Sequence, residues 1–152
     1  ATSTTRTKLT TITTANPQPR CNNGYTMYSG PGRSFCFRYV TILRSWDDAR
    51  RYCQMENADL PILDNQSLVP FSDVLIQMVE RVGSTYLRAT TDPNLIARYT
   101  DGTTIPSDSP LWVGGEPNNP NDCIILVFVP AEGASLSDRP CGASENFVCQ
   151  HV

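Results

Sequence analysis

Histidine is nearly absent from this sequence of 152 residues, which contains one, His151, beside its C-terminus. A lone histidine without catalytic partners is far more often a surface residue than a general base. The sequence also lacks an H-E-x-x-H motif, a G-x-S-x-G motif and a glycine-rich phosphate loop. The acidic pair Asp47 and Asp48 stands at the start of a predicted helix, where acids stabilise the helix dipole. We therefore predict that the protein is not an enzyme.

An excess of positive charge and a long apolar run are missing as well. Twelve Lys and Arg residues stand against fifteen Asp and Glu residues, which gives a net charge of −3. A protein that binds nucleic acid electrostatically would carry a basic patch, so we expect no nucleic-acid partner. The longest apolar stretch, Ile124 to Pro130, is far shorter than the roughly 18 residues of a membrane span. We expect Arg88, inside a predicted strand, to be exposed, since unpaired charges are rarely buried.

Six cysteines are present, and no two of them form a C-x-x-C pair. An even number without such pairs favours three disulfides over a zinc or redox site, and disulfides imply an oxidising compartment. Six cysteines allow many connectivities, so the count alone does not fix the pairing. The segment Asn65-Gln66-Ser67 is an N-glycosylation acceptor and agrees with secretion. No signal peptide precedes Ala1, so we expect a secreted, extracellular protein in its mature form.

The first twenty residues differ in composition from the rest, because eight of them are Thr. Residues 1–20 have two alternative interpretations. We expect them to form either a solvated stalk with O-glycosylation sites or a strand that docks on a sheet edge. As a docking strand, residues 1–16 would bind another copy of the chain and build an oligomer or filament. Residues 21–152 would form one folded domain, as the length indicates.

Residue patterns in this domain predict strands first, then two helices, then further strands. Ser45, with Asp48 three residues later, predicts the N-cap of the first helix. Apolar residues at helical spacing predict a second helix over residues 67–82. Its buried face would contain Val69, Phe71, Val74, Leu75, Met78, Val79 and Val82. This order of elements indicates an α+β fold. The predicted strands are residues 25–28, 34–41, 86–89, 97–99, 123–129 and 146–151.

The long loop over residues 101–122 and the segment after it are rich in side-chain oxygen. Loops of this length in a compact domain are usually functional. Carboxylates, amides and backbone carbonyls are the ligands of a hard cation such as Ca²⁺. Pro117 would help to hold the side chains of Glu116 and Asn118 on one side of the loop. A polar, solvated loop made of turn residues explains the same composition equally well.

Many short motifs together resemble the C-type lectin-like domain family over residues 21–152. Any one of them would be weak evidence, but the set is very specific. The motifs are Gly24-Tyr25, Tyr28, Cys36-Phe37, Ser45-Trp46, Ala49-Arg50, Tyr52-Cys53, Ala58-Asp59-Leu60, Trp112, Gly115-Glu116-Pro117-Asn118, Asp122-Cys123, Asp138, Cys141 and Phe147-Val148-Cys149.

The resemblance implies both a fold and a disulfide pairing. The fold would be the α+β double-loop fold, in which two helices flank small antiparallel sheets and a long loop region carries the binding site. The cysteine positions resemble the long form of the family, which has an additional N-terminal hairpin disulfide. The implied pairs are Cys21–Cys36, Cys53–Cys149 and Cys123–Cys141.

The resemblance also implies a site for calcium and sugar. In this family the Glu-Pro-Asn triplet is associated with mannose-type sugars, whose vicinal hydroxyls bind a loop Ca²⁺ directly. Glu116, Asn118 and Asn121 would each contact both the metal and the sugar. Asp138 would be a further metal ligand, and Ser137 would lie at the sugar.

Two segments of the site depart from the pattern of the family. Asn121 stands where the family usually has Glu, and Leu136-Ser137-Asp138 stands where it usually has Trp-Asn-Asp. Two ligand carboxylates remain, those of Glu116 and Asp138, unless Asp122 turns inward. Fewer ligand charges weaken Ca²⁺ binding, so we expect a weak site.

Two hypotheses for the function remain open. The first is a secreted, Ca²⁺-dependent lectin that binds glycans of the mannose type. The second is an extracellular structural or protein-binding module on the same fold, with a weak or lost calcium site, which polymerises through its N-terminal segment. A calcium ion beside Glu116 would favour the first hypothesis, and residues 1–14 packed on another chain would favour the second.

Overall fold

The computed structural model describes residues 20–151 and contains eight strands and two helices in that range. We predicted a stalk or docking strand over residues 1–20 and self-association through residues 1–16. Both predictions concern a segment outside the described residues. The elements are β1 (Thr26–Gly30), β2 (Arg33–Arg44), α1 (Trp46–Gln54), α2 (Asn65–Val79), β3 (Gly83–Thr91), β4 (Ala97–Tyr99), β5 (Thr104–Ile105), β6 (Cys123–Val129), β7 (Gly133–Arg139) and β8 (Glu145–His151).

The strands form one branched sheet in the order β1-β2-β8-β3-β4-β5, and β6 joins it by pairing with both β3 and β7. All strand pairs are antiparallel except β3 with β8, where Tyr86 lies opposite Phe147 in a parallel pairing. The predicted α+β fold with two helices is therefore confirmed, with this one parallel contact in addition.

Helix α1 begins where the capping pattern predicts. The hydroxyl of Ser45 accepts a hydrogen bond from the backbone N–H of Asp48 at 3.3 Å. The Trp46 indole then donates to the backbone carbonyl of Leu87, at 2.8 Å, inside the protein. The first turn of α1 is thereby fixed against β3, because a buried indole N–H needs an acceptor.

Helix α2 begins and ends earlier than the apolar pattern predicts. Asp64 is its N-cap, and its carboxylate accepts a hydrogen bond from the backbone N–H of Ser67 at 2.9 Å. Glu80 ends the helix with a left-handed φ of 60°. An Asp N-cap satisfies an otherwise unpaired N–H group, so the helix starts two residues before residue 67.

The buried face of α2 also differs from the prediction. Val69, Met78 and Val82 are exposed, so their assignment to the core is wrong. Val82 lies beyond the end of the helix, and the other two lie within the helix with about half of their surface exposed. The prediction is confirmed for Phe71 and Leu75, which pack with Leu68 in the main core.

Arg88 was predicted to be exposed, and this prediction is wrong. Its guanidinium is mostly buried because Asp59 and the carbonyl of Leu60 pair with it. Its side chain is 18% exposed and lies 3.6 Å from a carboxylate oxygen of Asp59. Its Nε donates to the backbone carbonyl of Leu60 at 2.8 Å. Burial lowers the pKa of the Arg88 guanidinium, while the nearby Asp59 charge opposes that effect.

Three disulfides confirm the implied pairing, and residues 20–151 contain no free cysteine. Cys21–Cys36 closes the N-terminal hairpin, Cys53–Cys149 joins α1 to β8, and Cys123–Cys141 joins the start of β6 to the segment after β7. Within the same residues, neither helix has the length and apolar character that a bilayer-spanning helix needs.

Candidate functional site

The candidate site lies where the long loop returns to the sheet. Strand β7 runs antiparallel to β6, so its last residues lie beside the first residues of β6: Asp138 pairs with Ile124, and Arg139 with Cys123. The loop that carries Glu116 and Asn118 ends at the start of β6. The topology therefore brings residues 116–122 and 137–138 to one end of the sheet.

Thr91, at the end of β3, anchors the last part of this loop. Its hydroxyl donates to the carbonyl of Asn119 at 2.6 Å and accepts from the backbone N–H of Asp122 at 2.9 Å. Its backbone N–H donates to the carbonyl of Asp122 at 2.9 Å, and its carbonyl accepts from the N–H of Asn121 at 3.0 Å. Thr91 was not predicted as a site residue, because a Thr near the end of a strand gives no sign in the sequence of binding a loop.

Glu116 is held between the loop and β7. The Glu116–Pro117 peptide is cis. One carboxylate oxygen of Glu116, Oε1, accepts a hydrogen bond from the Ser137 hydroxyl at 2.6 Å and another from the backbone N–H of Asp138 at 3.3 Å. Glu116 and Ser137, both predicted to bind sugar, are therefore direct neighbours.

Asp138 is the most buried of the predicted ligands, with 5% of its surface exposed. Its Oδ2 accepts from the backbone N–H groups of Asn118, at 3.2 Å, and Asn119, at 3.0 Å. Its Oδ1 is buried and has no hydrogen-bond partner among the described residues. A buried carboxylate oxygen without a partner is costly, so an additional group is expected to neutralise it.

Asp122 also lies close to this cluster. The sequence had left open whether its side chain turns toward Glu116 and Asp138, and it does. Its pKa is raised, first by partial burial, then by the nearby charge of Asp138 and a side-chain hydrogen bond that the protonated Asp122 can make to Asp138, and last by the charge of Glu116. The charges of Asp138 and Glu116 therefore act on Asp122, and no basic side chain takes part in the hydrogen bonds described above. Such mutual repulsion favours a proton or a cation in their midst.

The two asparagines are both exposed but have different contacts. The backbone N–H of Asn118 donates to Asp138, and its side-chain oxygen accepts from the side-chain amide of Asn119 at 2.9 Å. Asn121 has a left-handed backbone φ of 60°. Asn tolerates this conformation better than other residues with a side chain, so the turn by itself favours Asn at this position.

The oxygen atoms suit a hard cation, but they do not form a finished cage. Within residues 20–151, no three His, Cys, Asp or Glu side chains are arranged as a ready metal-binding group. Carboxylate and amide oxygens are the donors that Ca²⁺ takes, and the unpartnered Asp138 Oδ1 is a donor of this kind. The chemistry of the donors therefore fits a calcium ion, although the arrangement is looser than a preformed site.

Two curated proteins are similar to this chain over about three quarters of its length. Versican core protein from Homo sapiens is 26% identical over 126 residues, which is 76% of this chain but 3% of that protein. A C-type lectin mannose-binding isoform from Notechis scutatus scutatus is 23% identical over 125 residues, or 79% of this chain and 78% of the relative. The chain thus spans only a small part of versican core protein and most of the snake protein.

A solved structure and a family model match this chain as well. The crystal structure of human lithostathine matches with a TM-score of 0.67 at 26% identity, over 93% of this chain and 98% of that one. The family model of the lectin C-type domain matches residues 42–151, which include both helices, the long loop and strands β3 to β8. The family predicted from the sequence motifs is thereby confirmed, and the chain belongs to the family of C-type lectin domains.

Proposed function

We propose that this chain is an extracellular carbohydrate-binding domain that binds mannose-type sugars with a weakly held calcium ion. The observation that carries the proposal is the buried, unpartnered Oδ1 of Asp138 beside the carboxyl groups of Glu116 and Asp122. A cation would supply the charge that this cluster lacks. The three disulfides support an oxidising, extracellular location.

Glu116, Asn118 and Asp138 would hold the ion, and Asp122 would add a third carboxylate near it. Asn121 could add an amide oxygen from the loop surface. When bound, calcium would offer open coordination positions to vicinal sugar hydroxyls. Ser137 orients Glu116 through its hydrogen bond, which leaves the second oxygen of that carboxylate for a ligand. The Glu-Pro-Asn triplet and the relative described as mannose-binding both support a sugar of the mannose type.

Calcium binding is measured most simply by calorimetric titration and by thermal melting with calcium and with chelator. We expect a Kd on the order of 10⁻⁴–10⁻³ M, the weak range of extracellular sites. At ten times the Kd, binding to the folded state alone adds about 1.4 kcal/mol to the free energy of unfolding. Glu116→Gln should abolish this gain, because it removes a metal-facing charge and retains the shape of the side chain.

The control is Asp73→Asn, which removes an exposed acid on α2. This variant should keep the full calcium response of the parent protein. If the parent protein melts at the same temperature in calcium and in chelator, the cluster does not bind calcium and the proposed mechanism is wrong.

One observation favours the alternative of a protein-binding or self-assembling module. Glu116 Oε1 and Asp138 Oδ2 already accept hydrogen bonds from protein groups, so the loop is partly closed without an ion. In this alternative the loop has lost calcium, and the N-terminal segment carries the interaction. Deleting residues 1–16 would then lower the assembly state seen by sedimentation, whereas a lectin domain would sediment unchanged.

A further inference from the structure

We propose that an N-glycan on Asn65 lies in an apolar groove beside helix α2 and stabilises the domain by covering it. The inference rests on the extracellular location in the proposed function but not on calcium or sugar binding by the loop. Asn65 is the first residue of α2, is exposed, and starts an Asn-Gln-Ser acceptor sequence.

The groove runs along the side of α2 from Asn65. It has a volume of about 440 Å³, within the range of small-molecule sites, and Asn65 is one of its lining residues. Val69 follows Asn65 by four residues, so it lies on the same face of the helix. Although it is apolar, Val69 is 45% exposed. The apolar lining consists of Leu68, Val69, Pro106, Pro110 and Leu111.

The opposite wall of the groove is held in place by its own hydrogen bonds. The Trp112 indole donates to the carbonyl of Pro106 at 2.9 Å. The backbone N–H of Ser109 donates to the same carbonyl at 3.1 Å, and the Ser109 hydroxyl accepts from the N–H of Leu111 at 3.3 Å. A wall fixed in this way can receive a ligand without first paying an ordering cost.

The chemistry of the groove matches the first sugar of an N-glycan. An N-acetylglucosamine ring presents C–H groups and a methyl group on its apolar parts, and hydroxyl and amide groups at its edge. The apolar parts of the ring suit Val69, Pro106 and Leu111. The hydroxyl and amide groups suit Asp108 and Ser109, which also line the groove. Because the glycan is covalently attached at the rim, its effective concentration in the groove is high.

Two variants separate the glycan from other effects of substitution. Asn65→Gln removes the acceptor at an exposed position. Ser67→Ala removes it at a buried position, where the Ser67 hydroxyl makes no hydrogen bond of acceptable geometry, although the Tyr28 hydroxyl is its neighbour. Removing a buried hydroxyl that has no partner, as Ser→Ala does, costs the fold little. The two variants should therefore behave alike.

The experiment uses the full chain, secreted from eukaryotic cells and studied in chelator. Intact mass should show one N-glycan on the parent protein and none on Asn65→Gln or Ser67→Ala. The glycosylated protein should melt about 2–4 °C above both variants, the shift that a gain near 1 kcal/mol gives in a domain of this size. Trimming the glycan enzymatically to its first N-acetylglucosamine should retain most of the gain.

A substitution in the groove tests where the sugar lies. Val69→Ser should remove most of the difference in Tm between the glycosylated protein and its Asn65→Gln counterpart. Met78→Ser, at an equally exposed position at the far end of α2, should leave that difference intact. A secreted protein with bare Asn65, equal melting with and without glycan, or a glycan effect unchanged by Val69→Ser would each overturn the proposal. None of these outcomes bears on calcium binding by the loop.

Discussion

The backbone conformation of Asn121 favours Asn over the Glu that the family usually has at this position. With φ at 60°, this position disfavours residues whose side chains have no local hydrogen bond to offer. The Glu that the family usually has there would add a carboxylate to the cluster at the cost of backbone strain. With Asn at position 121, the turn is unstrained and the cluster has one carboxylate fewer than the family pattern.

Asn121→Glu is expected to trade stability for calcium affinity. In chelator, the variant should lose about 1 kcal/mol of unfolding free energy, since a non-Asn residue is strained in the left-handed region. In calcium, it should bind more tightly than the parent protein, because one more carboxylate faces the ion. Denaturant unfolding in both buffers measures the two effects. A variant that gains no calcium response would show that residue 121 does not face the ion.

The sequence predicted most of the side chains in the cluster but not how they are held. Glu116, Asn118 and Asp138 were expected because the family motifs contain them, and Ser137 was expected because it stands where the family usually has Asn. The inward position of Asp122 could not be derived, since it depends on the loop path that Thr91 fixes. Arg88 was predicted wrongly for a similar reason: its partner Asp59 is far from it in the sequence and close only in the fold.

At the scale of elements, the end of β3 and the returning loop form one unit. Thr91 is 2% exposed and joins them through its hydroxyl and both of its backbone groups. The loop therefore depends on a strand residue about thirty positions earlier in the chain, and a side-chain change there should alter the positions of the proposed calcium ligands.

Thr91→Val tests this connection. It retains the shape of the side chain but leaves the Asp122 N–H without its hydroxyl acceptor, which should cost about 1–3 kcal/mol. Calcium affinity should fall as well, because Asp122 is no longer held near the cluster. The matched control is Thr41→Val on the exposed end of β2, which should change neither quantity. If Thr91→Val retains both the stability and the calcium affinity of the parent protein, the loop is held by other contacts.

Elements with a strong local pattern were predicted well, and elements that depend on pairing were not. Strands β4 and β6 and the start of α1 lie where the sequence places them. Strand β7 was missed because Gly-Ala-Ser-Leu-Ser-Asp-Arg has little strand propensity. It is a strand because β6 pairs with it over seven residue pairs.

At the scale of the whole molecule, one disulfide joins the first helix to the last strand. Cys53 and Cys149 are 96 residues apart in sequence, and both are fully buried. In the chain-entropy account, closing a loop of this size restricts the unfolded chain more than closing the loop of the hairpin disulfide Cys21–Cys36.

Removing these two disulfides separately should give different losses of stability. Cys53→Ala/Cys149→Ala should cost about 4–5 kcal/mol, whereas Cys21→Ala/Cys36→Ala should cost about 3 kcal/mol. Denaturant unfolding of both double variants measures the difference. Equal losses, or a larger loss for the hairpin disulfide, would contradict the chain-entropy account.

A glycan array tests most directly whether the loop cluster binds a mannose-type sugar through calcium. The parent protein and Glu116→Gln would be applied to the array in millimolar calcium and again in chelator. We predict that the parent protein binds terminal-mannose glycans in calcium only and that Glu116→Gln binds none. Binding that survives chelator, or no glycan binding by the parent protein in calcium, would contradict the account.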